Sequence, residues 1–494
     1  MSDAIDASLV ERFRLTVEER TGLGFVPGKT DDLLELLRQR SAVRKLGAAE
    51  YVARLERGDV RDELRELAPL LTVAETYFFR NPAQFDAFRA LAYRHMTQPD
   101  TRLRPLSVLS AGCASGEEAY SLAIAAREVF NGSACTAEVV AVDLNPQVLE
   151  RARRGRYSEW SLRSVGSDVR ARWFRARGHE VQLDPSVRES VRFVEGNLVQ
   201  PDPALFGEQR WDIVFCRNAL MYFTPDKLRL ALDNLTRALM LDGHLFLGHA
   251  ETLRGLRHDY HLCHTHDAFY YQRKRAPAAE AVALTPRRAR PPSAPPPPLP
   301  AAWPADADRA STRVRQLDPP KPPPSAVARD LSAVVDLMHR DQHIAALALF
   351  SSLGEEAAPD PDALLVEANL LTHANRFTAA QAVCDRLLAL DELNAGAHYV
   401  LALCREAAGD LDRALHHDQV SAYLDPAFAM PHVHMGLLLR RRGQEEAART
   451  ALTHAYTLLE REDTARLAMF GGGFGRAALL ALCVSQASHL GETS

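Results

Sequence analysis

Residues 106–143 read LSVLSAGCASGEEAYSLAIAAREVFNGSACTAEVVAVD, and this stretch decides the fold of the region around it. The apolar run at its start has strand character, and apolar residues recur at helical spacing from Glu117 to Val129. A second apolar run ends at Asp143. The stretch therefore predicts a strand, a glycine turn, a helix and a second strand, with an acidic residue at the carboxyl end of the second strand.

The turn between the first strand and the helix carries Gly112 and Gly116, where the backbone can pass close to another group. It matches neither GxGxxG nor GxxxxGK[ST], and Glu117 and Glu118 stand where a phosphate would be repelled. Asp143 is placed to accept hydrogen bonds from ribose hydroxyls. A positively charged nucleoside cofactor without phosphate fits these residues, and S-adenosylmethionine has that chemistry. The alternative is a βαβ unit with a purely structural glycine turn.

Strand and helix patterns alternate from 106 to 273 and predict a mostly parallel, doubly wound α/β sheet. A small β insertion is predicted near 175–193, with Asp184-Pro185 between two short strands. Later strands of the main sheet begin at Val191, Trp211, His244 and Ala268. Because ligands bind outside the carboxyl ends of such strands, one edge of the sheet is predicted to gather the candidate site. The residues expected there are Gly112, Asp143, Asn197 and Arg217.

Residues 1–75 are predicted to form an N-terminal domain of short helices. Basic residues stand away from the apolar stripes of these helices: Arg38, Arg40, Arg44, Lys45, Arg54, Arg57, Arg61 and Arg65. Charges of this kind usually cover a solvated helix face. The functional alternative is a basic surface that docks an acidic partner.

The run TVAETYFFRNPAQFDAF at 72–88 joins the N-terminal helices to the first strand. Its three adjacent aromatic residues, Tyr77, Phe78 and Phe79, can wall a pocket, and Arg80 can hold a carboxylate. The alternative is a core cluster that links the first helices to the sheet.

Residues 276–328 are rich in proline and alanine and predict an extended linker. The region 329–485 that follows has a period of 34 residues: Leu390-Asp391 recurs as Leu424-Asp425, Gly409 as Gly443, and Ala414 as Ala448. This period predicts tetratricopeptide (TPR) repeats, which stack helix pairs into an all-α solenoid. The concave face of such a solenoid is expected to bind an unknown protein or peptide.

The 494 residues carry a net charge of -5, which does not favour a general nucleic-acid binder. Seven scattered cysteines without a CxxC pair indicate reduced thiols, and neither a signal peptide nor an apolar run of ~20 residues is seen. A cytoplasmic protein is expected, with membrane association only through a partner. The spacing of His258, His261 and His264 matches no zinc pattern, so a polar loop is preferred to a metal site there.

Six motifs stand in one order along the chain: TVAETYFFR, SAGCASGEEAYSLA, AVDLNPQVLERA, EGNL, WDIVFCRNALMYF and LDGHLFLGHAETL. Together they resemble the chemotaxis receptor glutamate methyltransferases, the CheR family, over about residues 10–273. The resemblance implies an S-adenosylmethionine-dependent methyltransferase domain at 76–275. It also implies methyl transfer to glutamate side chains on the cytoplasmic helices of chemoreceptors, with S-adenosylhomocysteine as product. Those helices are expected to dock on the basic N-terminal face.

The resemblance also assigns residues to roles. Cofactor contacts are implied for Thr76, Arg80, Glu118, Asp143, Asn197, Leu198, Cys216 and Arg217. Arg80 and Tyr222 are implied to lie nearest the reacting centre, as catalytic residues. Two departures stand out: Ala74 replaces the usual asparagine, and the segment between Phe174 and Phe193 looks shorter than in members that grip a receptor's tether peptide. The repeats are therefore expected to supply docking instead.

For this reaction, the protein mainly has to orient the reacting groups. The γ-carboxylate of glutamate has an ordinary pKa of about 4.3, so it is ionised at neutral pH without a general base. The sulfonium is a good leaving group, so no metal is required. Alignment of the reacting atoms can remove roughly 7–11 kcal/mol of barrier. Two alternatives stay open: a non-catalytic S-adenosylmethionine sensor that signals through the repeats, and a methyltransferase for a small molecule.

Overall fold

The computed structural model describes residues 5–25, 30–60, 62–72, 74–249, 251–275, 331–340, 342–353 and 360–488. These residues form two compact units. One comprises Met1–Gly248 and Cys263–Pro277, and the other His249–Leu262 and Ala278–Ser494. The predicted linker at 276–328 lies outside the described residues. In the part of the chain that is described, no helix has the length and apolar character needed to cross a membrane.

The first unit begins with four helices: α1 (Ala7–Thr21), α2 (Thr30–Val43), α3 (Ala48–Arg57) and α4 (Glu63–Leu71). Their apolar stripes meet in one core around Phe13, Val17 and Tyr51, which are fully buried. The next helix, α5 (Pro82–Thr97), has proline in its first turn and packs against the sheet through Phe85 and Phe88. The aromatic run before α5 therefore leads from the helical core to the sheet.

The strands are β1 (Leu106–Ala111), β2 (Ala137–Asp143), β3 (Arg156–Tyr157), β4 (Phe174–Arg177), β5 (Glu180–Leu183), β6 (Val191–Glu195), β7 (Trp211–Cys216), β8 (Leu239–Leu247), β9 (Tyr260–Thr265) and β10 (Ala268–Arg273). Seven of them form the main sheet in the order β6-β2-β1-β7-β8-β10-β9. The pairs β6–β2, β2–β1, β1–β7 and β7–β8 are parallel, and β10 runs antiparallel to β8. The predicted doubly wound α/β sheet is confirmed, with an antiparallel edge.

The helices between these strands are α6 (Glu117–Val129), α7 (Pro146–Arg154), α8 (Ser167–Trp173), α9 (Pro185–Arg188), α10 (Pro203–Phe206) and α11 (Pro225–Ala238). Helix α6 is the predicted crossover between β1 and β2. It is buried along most of its length, because small alanines such as Ala119, Ala123 and Ala126 let it lie close to the sheet.

The β insertion differs from its prediction in one respect. A small sheet with the order β3-β5-β4 is present, but its hairpin turns between Arg177 and Glu180 rather than at Asp184-Pro185. The Asp184 carboxylate accepts a hydrogen bond from the Ser186 amide, 2.9 Å away, and so caps α9. The strand at 191–195 belongs to the main sheet beside β2. The predicted hairpin around Asp184 is therefore wrong, because aspartate followed by proline also starts helices.

The second unit contains helices α12 (Ser332–His339), α13 (His343–Ser352), α14 (Pro361–His373), α15 (Phe377–Leu390), α16 (Ala395–Ala407), α17 (Leu411–Leu424), α18 (Ala429–Arg441), α19 (Glu445–Leu459), α20 (Thr464–Phe470) and α21 (Arg476–Ser488). Helices α14, α16 and α18 begin 34 residues apart, and so do α15, α17 and α19. The alanines at 346, 380, 414 and 448 are all fully buried. The predicted 34-residue TPR pairing is confirmed, because small residues recur where the two helices of a pair approach each other.

Candidate active site

Four neighbouring parallel strands end at the same edge of the main sheet. The chain leaves β1 into Gly112, β2 ends at Asp143, and β7 leads directly into Arg217. Asn197 follows two residues after β6, whose neighbour in the sheet is β2. The parallel topology therefore brings the four residues expected from the strand pattern to one edge.

A cleft opens at this edge between the aromatic run before α5 and the glycine turn after β1. Its lining consists of Glu75, Thr76, Tyr77, Arg80, Phe85, Gly112, Cys113, Ala114, Glu118, Arg217 and Asn218. Gly112 has a φ of +76°, and a Cβ atom on it would lie 2.8 Å from the Cβ of Ala219. Only glycine fits there, so bare backbone forms this part of the cleft.

An arginine and a glutamate meet at the floor of the cleft. The Arg217 guanidinium lies 3.4 Å from Glu118 Oε2 and donates a hydrogen bond of 2.6 Å to the Arg80 carbonyl oxygen. Ser110 Oγ donates to Glu118 Oε1 at 2.7 Å. Burial raises the pKa of Glu118, and Arg217, Ser110 and Arg80 offset only part of that rise. Because each carboxylate oxygen can accept more than one hydrogen bond, Glu118 can also accept a donor from a ligand in the cleft that it lines.

Asp143 holds the turn at Ala114, which lines the cleft. Its Oδ2 accepts the Ala114 amide at 2.8 Å, and its Oδ1 accepts the Asn145 amide at 2.9 Å. Burial raises the pKa of Asp143, and these backbone N–H groups oppose the rise. Because each carboxylate oxygen can accept more than one hydrogen bond, Asp143 can hold the Ala114 turn and still accept from a hydroxyl group.

Five of the predicted site residues are not part of the cleft lining: Asp143, Asn197, Leu198, Cys216 and Tyr222. Asn197 Nδ2 donates to the Arg20 carbonyl oxygen at 3.1 Å, and the Tyr222 carbonyl oxygen accepts the Gly24 amide at 2.7 Å. Leu198 is buried. The loops after β6 and β7 thus hold the segment that follows α1. Of the predicted residues, the structure brings Thr76, Arg80, Glu118 and Arg217 together in the cleft lining.

Two further differences concern the end of β7. Cys216 is fully buried and does not line the cleft, whereas its near neighbour Asn218 does. Asn218 has a φ of +56°, a left-handed conformation that asparagine tolerates better than most residues. Sequence reasoning named Cys216 and Arg217 but not Asn218. The position of Asn218 just beyond a buried strand is the sequence feature that could have indicated its place in the cleft.

The prediction of a basic N-terminal surface is wrong for two of its residues, Arg40 and Arg44. Arg40 is 7% exposed and donates to Glu63 Oε1 at 2.8 Å, and Arg44 pairs with the other oxygen of Glu63. Tyr51 also donates to Glu63, at 2.8 Å. These arginines hold α2 to the start of α4, because Glu63 is fully buried between them. The exposed Arg54 pairs with Glu50, and the exposed Arg57 pairs with Asp59.

The second unit contains a cavity of about 290 Å³. Two arginines, Arg254 and Arg466, meet at its Asp425, with N–O distances of 2.5 and 2.6 Å. Apolar side chains such as Phe428 and Phe470 complete the lining. Within the described ranges, no three His, Cys, Asp or Glu side chains are grouped so that they can hold a metal ion.

Comparison with known proteins identifies a family and several relatives of this chain. The family described as "CheR methyltransferase, SAM binding domain" matches residues 74–269. The probable biofilm formation methyltransferase WspC of Pseudomonas aeruginosa is 31% identical over 440 residues, which cover 89% of this chain and 96% of that protein. Chemotaxis protein methyltransferase 2 of the same organism is 32% identical over 47% of this chain and 81% of its own length.

Among solved structures, a thermophilic TPR protein of Thermus thermophilus is 22% identical, covers 33% of this chain and 91% of its own, and has a TM-score of 0.25. The likeness to WspC, by contrast, extends through both units and over almost the whole length of that relative. The chain therefore belongs to the CheR family of methyltransferases.

Proposed function

We propose that this protein methylates glutamate side chains on the cytoplasmic helices of chemoreceptors, with S-adenosylmethionine as donor and S-adenosylhomocysteine as product. The observation that carries the proposal is the cleft in which Glu118, Arg80 and Arg217 meet beside the bare backbone of Gly112. The names of the relatives, chemotaxis protein methyltransferase and biofilm formation methyltransferase, support the same pathway class.

The residues of the cleft fit S-adenosylmethionine. The carboxylate of Glu118, which lines the cleft, suits an amino group or a hydroxyl, and Asp143 can accept from ribose hydroxyls. Arg80 suits a carboxylate, and the side-chain-free turn at Gly112 lets a flat or bulky group approach the backbone. When bound, the cofactor supplies an electrophilic methyl group.

The protein's own contribution is to hold and orient the acceptor. In this proposal Arg80 binds a carboxylate at the cleft, because its side chain lines the cleft and its carbonyl oxygen is fixed by Arg217. Tyr222 is proposed to orient the substrate from the short helix after β7. No proton has to leave the glutamate at neutral pH, so the residues act by alignment and by excluding water.

Two further parts of the proposal concern partners. The TPR unit is proposed to bind a protein segment, and its cavity beside Asp425 offers both apolar and charged surface for one. The exposed basic residues of the N-terminal helices, Arg38, Lys45, Arg54 and Arg57, are proposed to help dock acidic receptor helices. The protein is proposed to act in the cytoplasm, where those receptor helices lie.

The test is transfer of radiolabelled methyl groups from S-adenosylmethionine to chemoreceptor cytoplasmic fragments by the full chain. Label that is released as volatile methanol in mild alkali identifies a carboxyl methyl ester, and Arg80→Ala should reduce that label by at least about tenfold because a charge-assisted contact is lost. Cofactor binding without any transfer to receptor fragments would instead favour a non-catalytic sensor.

A further inference from the structure

An exposed group of aromatic and cationic side chains lies at the mouth of the cleft. Tyr77 lines the cleft, and the Cζ atom of Arg163 lies 3.5 Å from the centre of its ring. The same guanidinium lies 4.4 Å from the ring of Trp160, which is 71% exposed. Tyr77, Trp160 and Arg163 are called the platform below. It extends from the cleft lining to solvent.

The platform is held in place by local contacts. Arg163 Nη1 donates to the Trp160 carbonyl oxygen at 2.8 Å, so the guanidinium is fixed against the turn that carries it. The Phe78 amide donates to the Ser161 carbonyl oxygen at 3.0 Å, which ties that turn to the aromatic run before α5. An arginine fixed over aromatic rings loses less freedom when it binds a carboxylate than one that moves freely.

Arg163 differs from the nearby Arg170 in its ion pairing. Nearby Arg170 pairs with Glu159 at 2.5 Å. No carboxylate of the described residues lies within ion-pair distance of Arg163. An exposed tryptophan beside such a guanidinium is typical of a binding surface, since large aromatic residues and arginine are enriched where proteins meet. The platform therefore offers a fixed positive charge and an apolar face to an acidic partner.

We propose that the platform binds an acidic side chain of the substrate helix, one helical turn from the glutamate that is methylated. This inference rests on the proposed function. Arg80 lies on the cleft side of the same ring cluster, with its Cζ atom 5.7 Å from the Tyr77 ring. Side chains one turn apart on a helix are separated by ~5–6 Å, so one carboxylate can enter the cleft while the next pairs with Arg163. Arg163 is thus a residue that determines substrate specificity.

The experiment is steady-state methylation of a receptor fragment by the full chain. Arg163→Ala is expected to raise the KM for the fragment about five- to tenfold and to leave kcat within about twofold, because the contact forms in the ground state and the transition state alike. The Kd for S-adenosylmethionine, measured by calorimetry, should not change. Arg163→Lys should raise KM less than Arg163→Ala does, and Trp160→Ala should raise KM about threefold.

The matched control is Arg172→Ala. Arg172 is also exposed and lies over a tryptophan ring, 4.8 Å from that of Trp173, which is not part of the cleft lining. Its KM should equal that of the unsubstituted protein. A fragment whose acidic residue one turn from the methylated glutamate is replaced by glutamine should be equally poor for the unsubstituted protein and for Arg163→Ala, since the two changes remove one contact.

The outcomes separate the two proposals. If the unsubstituted protein methylates the fragment and Arg163→Ala has the same KM, the platform does not bind substrate and the inference is overturned alone. If the KM of Arg163→Ala rises but the glutamine fragment is poorer still for that variant, the two groups do not pair, and the inference is again overturned. If no receptor fragment accepts label from the unsubstituted protein, the proposed function fails and the inference fails with it.

Discussion

Two glutamates of the first unit, the buried Glu63 and the partly exposed Glu118 of the cleft, lie beside arginines but in opposite electrostatic conditions. Glu63 is approached by Arg40, Arg44 and Tyr51. Burial alone would raise its pKa, but hydrogen bonds from these three side chains lower the pKa below its ordinary value. Glu118 has Ser110 at 2.7 Å and Arg217 at 3.4 Å, and burial raises its pKa. The partners of the first carboxylate outweigh the effect of its burial on the pKa, and the partners of the second do not.

This difference distinguishes a structural ion pair from a binding site. A buried charge is costly unless hydrogen bonds and opposite charges surround it. Glu63 meets that condition within the fold, so it can serve stability alone. Glu118 does not meet it, and a ligand that brings a donor to the cleft would complete its environment. The same substitution is therefore predicted to reduce mainly the stability at Glu63 and mainly the ligand affinity at Glu118.

The largest expected effect is that of Glu63→Gln. The substitution leaves the buried Arg40 without its carboxylate, and breaking a buried pair in this way costs about 3–5 kcal/mol. We expect the free energy of unfolding of the N-terminal helices to fall by that amount. Urea unfolding followed by hydrogen–deuterium exchange of the α3 amides measures it.

The control for this prediction is Glu50→Gln. Glu50 pairs with Arg54 on the exposed face of α3, and exposed pairs contribute only about 0.3–0.5 kcal/mol. A loss of stability as large for Glu50→Gln as for Glu63→Gln would mean that burial is not the cause.

The second expected effect is that of Glu118→Gln, the same change at the cleft. The Kd for S-adenosylmethionine should rise roughly ten- to hundredfold, because a charge-assisted hydrogen bond contributes about 1.5–3 kcal/mol. The free energy of unfolding of the cofactor-free protein should fall less than it does for Glu63→Gln, because the burial cost of the ionised Glu118, which the substitution removes, offsets part of the loss of the contact with the buried Arg217. Calorimetric binding and urea unfolding at pH 7.5 give the two quantities.

A fall in stability for Glu118→Gln comparable to that of Glu63→Gln would contradict the comparison. It would mean that Glu118 holds the fold together through Arg217 rather than serving a ligand. Unchanged cofactor affinity would remove Glu118 from the binding site.

The contrast between the two glutamates also shows what the sequence can and cannot indicate. The strands at Leu106, Ala137 and Trp211 and the 34-residue period follow from apolar spacing, which is local and survives in any context. Arg40 and Glu63 are 23 residues apart on different helices, so no local pattern shows that they meet. The arginines along this helix therefore predicted an exposed basic surface. In the structure, Arg40 is instead buried and paired with Glu63.

The candidate site shows the same limit. Thr76, Arg80, Glu118 and Arg217 were predicted and line one cleft, because motif and strand end coincide at these positions. Asn197 and Tyr222 were predicted as well, but both hold the segment around Gly24. That segment comes from the far N-terminal end of the unit, and its packing depends on tertiary contacts rather than on the strand pattern.

The smallest expected effect concerns a further carboxylate, the buried Asp418 of the TPR unit, whose partner is a titratable cation. His434 Nδ1 lies 2.7 Å from Asp418 Oδ2, and its Nε2 lies 3.0 Å from Glu406. Burial opposes the charged imidazole, but these two carboxylates raise the pKa of His434 to about 10. A raised histidine pKa stabilises the fold below the unfolded value of about 6.5 and ceases to do so as the pH passes the folded value.

We therefore expect the free energy of unfolding of the TPR unit to fall as the pH rises from 7 to 8, and His434 contributes at most about 1.4 kcal/mol to that fall. Exchange of the α18 amides during urea unfolding measures it. Asp418 adds nothing to this slope, because its pKa of about 6 leaves it ionised throughout the range in both states. His434→Gln should lower the stability at pH 7 and flatten the slope, whereas His179→Gln, at an exposed turn, should change neither. A slope that survives His434→Gln would show that His434 is not the group whose deprotonation destabilises the unit.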